Sequence, residues 1–130
     1  MSIAPVPPVE PTWYPLCHSP DLKEGGDAWP FDVRYQGRTC RAFAVRWQGR
    51  AHAYLNRCSH VALEMDWRPN HFFDLLGQHI VCAAHGALFR PDTGQCVGGP
   101  GRGPLVKIAV DERHGVVYWQ SQYNLHAIEF

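Results

Sequence analysis

Apolar residues fall in short runs along this chain, each ended within a few positions by glycine, proline or a polar pair. No stretch keeps a helical spacing for longer than about two turns, which points to strands rather than helices. Residues 13–18 read as a short first strand, with Pro15 confining it to a sheet edge. Residues 21–30 read as a polar loop. Residues 39–47 are rich in β-formers, Gln48-Gly49 is a two-residue turn, and residues 50–55 return, which together predict a hairpin. Residues 56–70 read as loop and 70–77 as an irregular aromatic insertion. Residues 79–82 and 87–89 are short strands on either side of a loop carrying Cys and His. Pro91-Asp92-Thr93-Gly94 is a turn, with Pro where a fixed φ helps and Gly where a positive φ is needed. Residues 97–104 form a Gly/Pro loop. Residues 105–110 and 115–119 predict a second hairpin around 111–114. The pattern predicts an all-β protein built of many short strands.

Composition narrows the picture. The chain has 130 residues, with 12 Lys+Arg against 12 Asp+Glu. That length suits one domain with a core that needs no staples. A net charge of zero argues against a nucleic-acid binder, which carries a basic stripe. The 45% hydrophobic content argues against disorder. Residues 1–20 hold no apolar core and no early positive charge of a secretion signal, and residues 1–12 read as a Pro-rich arm. No run is long enough to span a membrane. The expected compartment is therefore the cytoplasm, where stable disulfides are rare. Five cysteines, an odd number, then read as metal ligands or buried thiols.

The sharpest signal is Cys58-Ser59-His60, a spacer of 21 residues, then Cys82-Ala83-Ala84-His85. Each pair follows a predicted strand, so adjacent strands would bring two thiolates and two imidazoles to one site. A Cys₂His₂ set suits tetrahedral zinc, although zinc fingers usually pair Cys with Cys and His with His. The mixed order is also that of a two-iron centre in which two Cys hold one iron and two His the other.

In these residues the chain resembles the Rieske-type [2Fe–2S] ferredoxins. Beyond the ligand pairs, His85-Gly86-Ala87-Leu88-Phe89 is similar to that family's segment after the second His. Asp92-Thr93-Gly94 is similar to its turn, and Gly99-Pro100 to the proline loop that covers the cluster. Residues 41–56 resemble the strands leading into the first ligand loop, and residues 105–110 the strand after the proline loop. The likeness runs over about residues 13–120. It implies an antiparallel β-sandwich with a small cluster-binding subdomain at about 56–104. It implies Cys58, His60, Cys82 and His85 as cluster ligands, with Gly86, Ala87, Gly99 and Pro100 around them. It also implies one-electron transfer, with a flavin-dependent reductase as donor and an oxygenase or other oxidoreductase as acceptor. The chain would then be an electron-transfer component, not an enzyme by itself. The runner-up readings are a small subunit of a multi-component oxidoreductase such as a nitrite reductase, and a cluster- or zinc-bearing binding module without turnover.

Departures from the family pattern carry information. High-potential members brace the site with a disulfide between the two ligand loops; here the corresponding positions hold Leu63 and Ala84. They also place a Ser hydroxyl near the sulfurs; here that position is Ala87. Hydrogen bonds to the sulfurs stabilise the reduced cluster, so their loss implies a potential toward the low end of the roughly −150 to +300 mV Rieske range. Cys17, Cys40 and Cys96 have no ligand spacing and read as small buried hydrophobes. The remaining histidines, including His52, His71 and His79, carry none either. Trp67, Phe72 and Phe73 read as packing beneath the ligand loops, with partner docking as the alternative. The glycines from Gly98 to Gly103 lack the Gly-Lys-Ser/Thr ending of a phosphate loop.

Overall fold

The computed structural model describes residues 11–57, 64–66, 70–82, 86–99, 103–122 and 124–128. The described chain is built from eleven strands: β1 (Trp13–His18), β2 (Trp29–Tyr35), β3 (Arg38–Trp47), β4 (Arg50–Leu55), β5 (Ile80–Val81), β6 (Leu88–Phe89), β7 (Cys96–Gly98), β8 (Lys107–Ile108), β9 (Val110–Arg113), β10 (Val116–Gln120) and β11 (Leu125–His126). A single 3₁₀ turn at Ser19–Asp21 is the only helical element among the described residues. The sheets are a five-stranded one in the order β11-β2-β3-β4-β8, and two three-stranded ones, β1-β10-β9 and β5-β6-β7. All strand pairs are antiparallel.

The five-stranded sheet is buried on both faces, and the alternation along β3 and β4 shows why. Ala42, Ala44, Ala53 and Leu55 belong to one core, together with Val117 and Trp119 of the β1-β10-β9 sheet. Phe43, Val45 and Tyr54, one position out of phase, belong to the other core, with Phe72, Ile80, Cys82, Ala87 and Phe89. Small residues face one layer and large ones the other, which turns a near-continuous apolar run into a three-layer arrangement. Phe72 stacks on Phe43 with ring centroids 3.7 Å apart.

Three hairpins share one turn. Gln36-Gly37, Gln48-Gly49 and His114-Gly115 all have positive φ at both positions, 50° and 77°, 51° and 77°, and 51° and 77°. That is the type I′ geometry, whose twist matches the flanking strands. The first of these turns joins β2 to β3, so the loop expected over 21–30 ends at Trp29. Phe31, Val33 and Tyr35 alternate in the manner of a strand, and Pro30 does not prevent it. The third turn is only His114-Gly115, so residues 111–113 lie in β9 rather than in a loop. Ala109 breaks the segment expected as one strand: β8 pairs with β4, and β9 pairs with β10 in another sheet. Two further strands, β7 and β11, were not expected; both are very short and exist through their pairing.

Candidate metal centre

The second ligand loop is built by the small sheet. Ile80 pairs with Phe89 and Val81 with Leu88. The ladder then runs one rung further, with Cys82 N–H donating to Ala87 O at 2.9 Å and Gly86 N–H donating to Cys82 O at 2.8 Å. Residues 82–87 are therefore a loop closed at its base, with Gly86 in the left-handed region at φ 74°. Cys82 is fully buried and shares its core with Ile80, Ala87 and Phe89. Behind this loop, residues 72–74 run beside 79–81. Val81 N–H donates to Phe72 O, and Asp74 N–H donates to His79 O. The stretch expected to be irregular is thus an added edge of the small sheet. Phe72 and Phe73 are buried in the core, which bears out their reading as packing; Trp67 lies outside the described residues.

The end of β7 meets this loop backbone to backbone. A Cβ on Gly99 would sit 2.7 Å from Gly86 O and 2.8 Å from Ala87 Cα. Glycine at that position lets the start of the Gly-Pro segment press directly onto residues 86 and 87. Three of the four positions expected around the cluster, Gly86, Ala87 and Gly99, are thus brought together beside Cys82. Pro100 lies outside the described residues.

The first ligand loop leaves the end of β4. Asn56 N–H donates to Arg41 O of β3 at 2.9 Å, which carries the ladder past Leu55. The Asn56 side chain is buried and turns toward the far end of the loop. Its Oδ1 accepts from Met65 N–H at 2.7 Å, and its Nδ2 donates to Asp66 Oδ1 at 3.0 Å and to Glu64 Oε2 at 3.4 Å. Asp66 Oδ2 in turn accepts from Asn70 N–H at 3.0 Å. Asn56 and Met65, on either side of residues 58–63, are therefore tied by one side chain. Cys58, His60 and Leu63 fall inside that span, and Ala84 and His85 inside the second loop; all five lie outside the described residues.

The described part fits a cluster site of this kind: a buried thiol at the base of loop 82–87, Gly99 packed against residues 86 and 87 of that loop, and Met65, at the end of the first loop, buried in the same core. Among the described residues, which include only Cys82 of the four expected ligands, no group of three or more His, Cys, Asp or Glu side chains converges as a metal site. Cys17 and Cys40 pack in or against the other core, on the far side of the central sheet. Burial, reinforced by Asp21, pushes the Cys17 thiol pKa up. Cys96 packs against the core that holds Cys82, with its Sγ 3.5 Å from Gly98 O. His52 is half-buried, and burial followed by the Lys107 charge holds its imidazole below the usual value. His71 and His79 meet Asp27 and Asp74 at 3.2 and 3.3 Å. Sequence reasoning missed Asn56 and Tyr54. The signal for Asn56 was a polar residue directly after an apolar strand and two positions before Cys58. Tyr54 donates its hydroxyl to Pro91 O at 2.8 Å inside the core, and burial raises its pKa.

This arrangement defines a small all-β protein whose strands β4 and β5 lead into the two segments that carry the expected ligands. The Rieske [2Fe-2S] domain model matches residues 12–109, and the chain belongs to that family. The family's cofactor is a [2Fe–2S] cluster with two Cys and two His ligands, and its chemistry is electron transfer. Solved structures share the fold. A chain of the complex of reduced oxygenase and oxidized ferredoxin in carbazole 1,9a-dioxygenase superposes with TM-score 0.66 at 23% identity, covering 90% of this chain and 97% of that one. The ferredoxin of carbazole 1,9a-dioxygenase from Nocardioides aromaticivorans IC177 gives 0.66 at 24% identity, over 83% and 96%. The terminal oxygenase of carbazole 1,9a-dioxygenase from Novosphingobium sp. KA1 gives 0.60 at 25% identity, over 82% of this chain but 29% of that one. No curated protein matches the chain. No helix among the described residues is long and apolar enough to cross a membrane.

Proposed function

We propose that this chain is a ferredoxin-like one-electron carrier, with Cys58 and Cys82 holding one iron of its cluster and His60 and His85 the other. The observation that carries this is the closed loop 82–87, which buries Cys82 at its base and takes the backbone of Gly99 against it. When bound, the cluster supplies a one-electron couple. The chain's own part is to hold two thiolates against a dry core and to leave the Gly99 approach tight enough to exclude water. Ala87 is buried and has no hydroxyl to offer a sulfur, which supports a potential toward the low end of the range for such centres.

The sequence holds no flavin or nicotinamide fingerprint, so electrons come from a reductase, for which a flavin-dependent one is the natural class. The acceptor is an oxygenase or a similar oxidoreductase. This is supported by the shared fold with a ferredoxin and an oxygenase of a dioxygenase system. We place the carrier in the cytoplasm as a single domain, residues 1–12 an arm and about 56–104 the cluster-binding part.

Metal and sulfide analysis with electron paramagnetic resonance of the dithionite-reduced protein tests the reading. Two irons and two acid-labile sulfides per chain, with the signal of mixed His/Cys ligation, are expected. Cys82→Ala should abolish the signal and bleach the protein. One zinc and no sulfide would overturn it, and a strongly positive midpoint in a redox titration would overturn the low-potential part alone.

A further inference from the structure

The two ligand loops are closed in different ways. Loop 82–87 is closed by the backbone: the β5–β6 ladder simply extends to Cys82 and Ala87. Such closure does not depend on any side chain. Among the described residues, the first loop shows no ladder at its base. Its two ends, Asn56 and Met65, are joined by the Asn56 carboxamide, whose Oδ1 takes the Met65 N–H at 2.7 Å. Asn56 is only 9% exposed and Met65 is fully buried, so this N–H has no water to turn to if the side chain is removed.

We infer that Asn56 is the positioning residue of the first ligand loop, setting the separation of its ends and through it the placement of the two ligands between them. The inference rests on the reading above, that Cys58 and His60 hold the cluster. The chemistry of the group explains why asparagine stands here. The site needs an acceptor for Met65 N–H and a donor for Asp66 Oδ1 on one short planar group, and the carboxamide has both. Aspartate would keep the acceptor but set a third carboxylate against those of Asp66 and Glu64. Leucine would match the shape and leave the Met65 N–H buried and unsatisfied. The clasp is anchored at both ends: Asn56 N–H on Arg41 O of β3, and Asp66 through Asn70, whose carbonyl accepts from Ala28 N–H at 2.8 Å. A small shift of one carboxamide therefore has a rigid frame on either side, and the loop must take up the change.

The test compares the holoprotein with Asn56→Ala, Asn56→Asp and the exchanged pair Asn56→Asp/Asp66→Asn, the last made together with Glu64→Gln so that no carboxylate is left facing position 56. In the exchanged pair, Asn at 66 donates to the carboxylate at 56, and both backbone N–H groups keep an acceptor. Three readouts are taken: the rate of iron release to ferrozine after reduction, the electron paramagnetic resonance g-values, and the midpoint potential. Asn56→Ala is expected to speed iron release about tenfold, the effect of leaving one buried donor unsatisfied, and to shift the g-values. Asn56→Asp should do the same, and the exchanged pair should return the rate to within about twofold of wild type. Glu112→Gln, a destabilising change on the far side of the molecule, should leave g-values and release rate alone. Wild-type release and g-values in Asn56→Ala would overturn the inference, and so would failure of the exchanged pair to restore a rate that Asn56→Asp had raised. If Asn56→Ala does not fold, the last comparison decides. Absence of iron and sulfide from the wild-type protein would instead overturn the proposed function, so the two failures are distinct.

Discussion

Gly99 and Gly49 have almost the same backbone, φ 73° and 77°, in opposite surroundings. Around Gly49 an added Cβ meets nothing within 4 Å; at Gly99 it meets Gly86 O at 2.7 Å and Ala87 Cα at 2.8 Å. The backbone strain of an L-residue in the left-handed region is common to both, about 1–2 kcal/mol. Only Gly99 adds an overlap with atoms that cannot swing away, about 1–3 kcal/mol more. Gly49→Ala should therefore lower stability modestly and leave the visible spectrum of the holoprotein unchanged. Gly99→Ala should cost more in thermal unfolding and also alter the spectrum, because residues 86 and 87 must move. Equal losses from the two changes would show that the Gly99 approach is loose. At this scale the candidate site was legible in part. Cys82 and the glycines beside it carry signals fixed by coordination chemistry and by close backbone approach. Asn56 does not, since its role depends on a backbone N–H nine positions further on, which no local pattern reveals.

At the scale of elements, what joins the small sheet to the central one is Tyr54. It leaves β4 into the core under β5-β6-β7, and its hydroxyl reaches Pro91 O in the turn between β6 and β7. The same turn is fitted to the ring: a Cβ on Gly94 would lie 2.7 Å from Tyr54 Cε1. Leu105 N–H then donates to Gly94 O at 2.9 Å, returning the chain toward the central sheet. Tyr54→Phe keeps the ring and strands a buried carbonyl, so it should cost about 1–2 kcal/mol in denaturant unfolding of the holoprotein. The resonance signal should be retained. A loss below about 0.3 kcal/mol would mean that water or another donor satisfies Pro91 O. The long apolar strands β3 and β4 and the turn after β3 were readable from pattern and turn chemistry. The apolar two-residue strands β5 and β6 were readable too, but β7 and β9 were not: β7 contains a glycine and β9 is mostly charged. Each is a strand because a neighbour offers its ladder, and that information lies in the partner.

Across the whole molecule, the two larger sheets are locked by Arg46. From the end of β3 its guanidinium takes both oxygens of Glu112 in β9, each at 2.9 Å, and also Leu22 O at 2.6 Å and Ser19 O at 3.1 Å. The Arg46 hydrogen bonds, despite partial burial, hold the Glu112 carboxyl below its ordinary value. A carboxylate whose pKa is depressed on folding binds fewer protons in the native state than in the unfolded one between the two values. Its contribution is fully present above the unfolded Glu value, about 4.3, and is lost as pH falls through the lower folded value. His52 acts at higher pH: burial keeps it neutral, so the unfolded chain binds its proton first and stability declines below about pH 6.5. The two contributions are separable by mutation. Glu112→Gln keeps one acceptor and loses the charge, which for a partly buried bidentate pair should cost about 1 kcal/mol at pH 7. That gap between wild type and variant should hold down to about pH 5 and close by the pH at which Glu112 is protonated in the fold. His52→Gln should leave the gap unchanged while flattening the decline between about pH 7 and 5. Holoprotein unfolding followed from pH 3 to 8 reads both, and a wild-type–variant gap that does not close in acid would show that Arg46 holds the sheets through its carbonyl contacts rather than through Glu112.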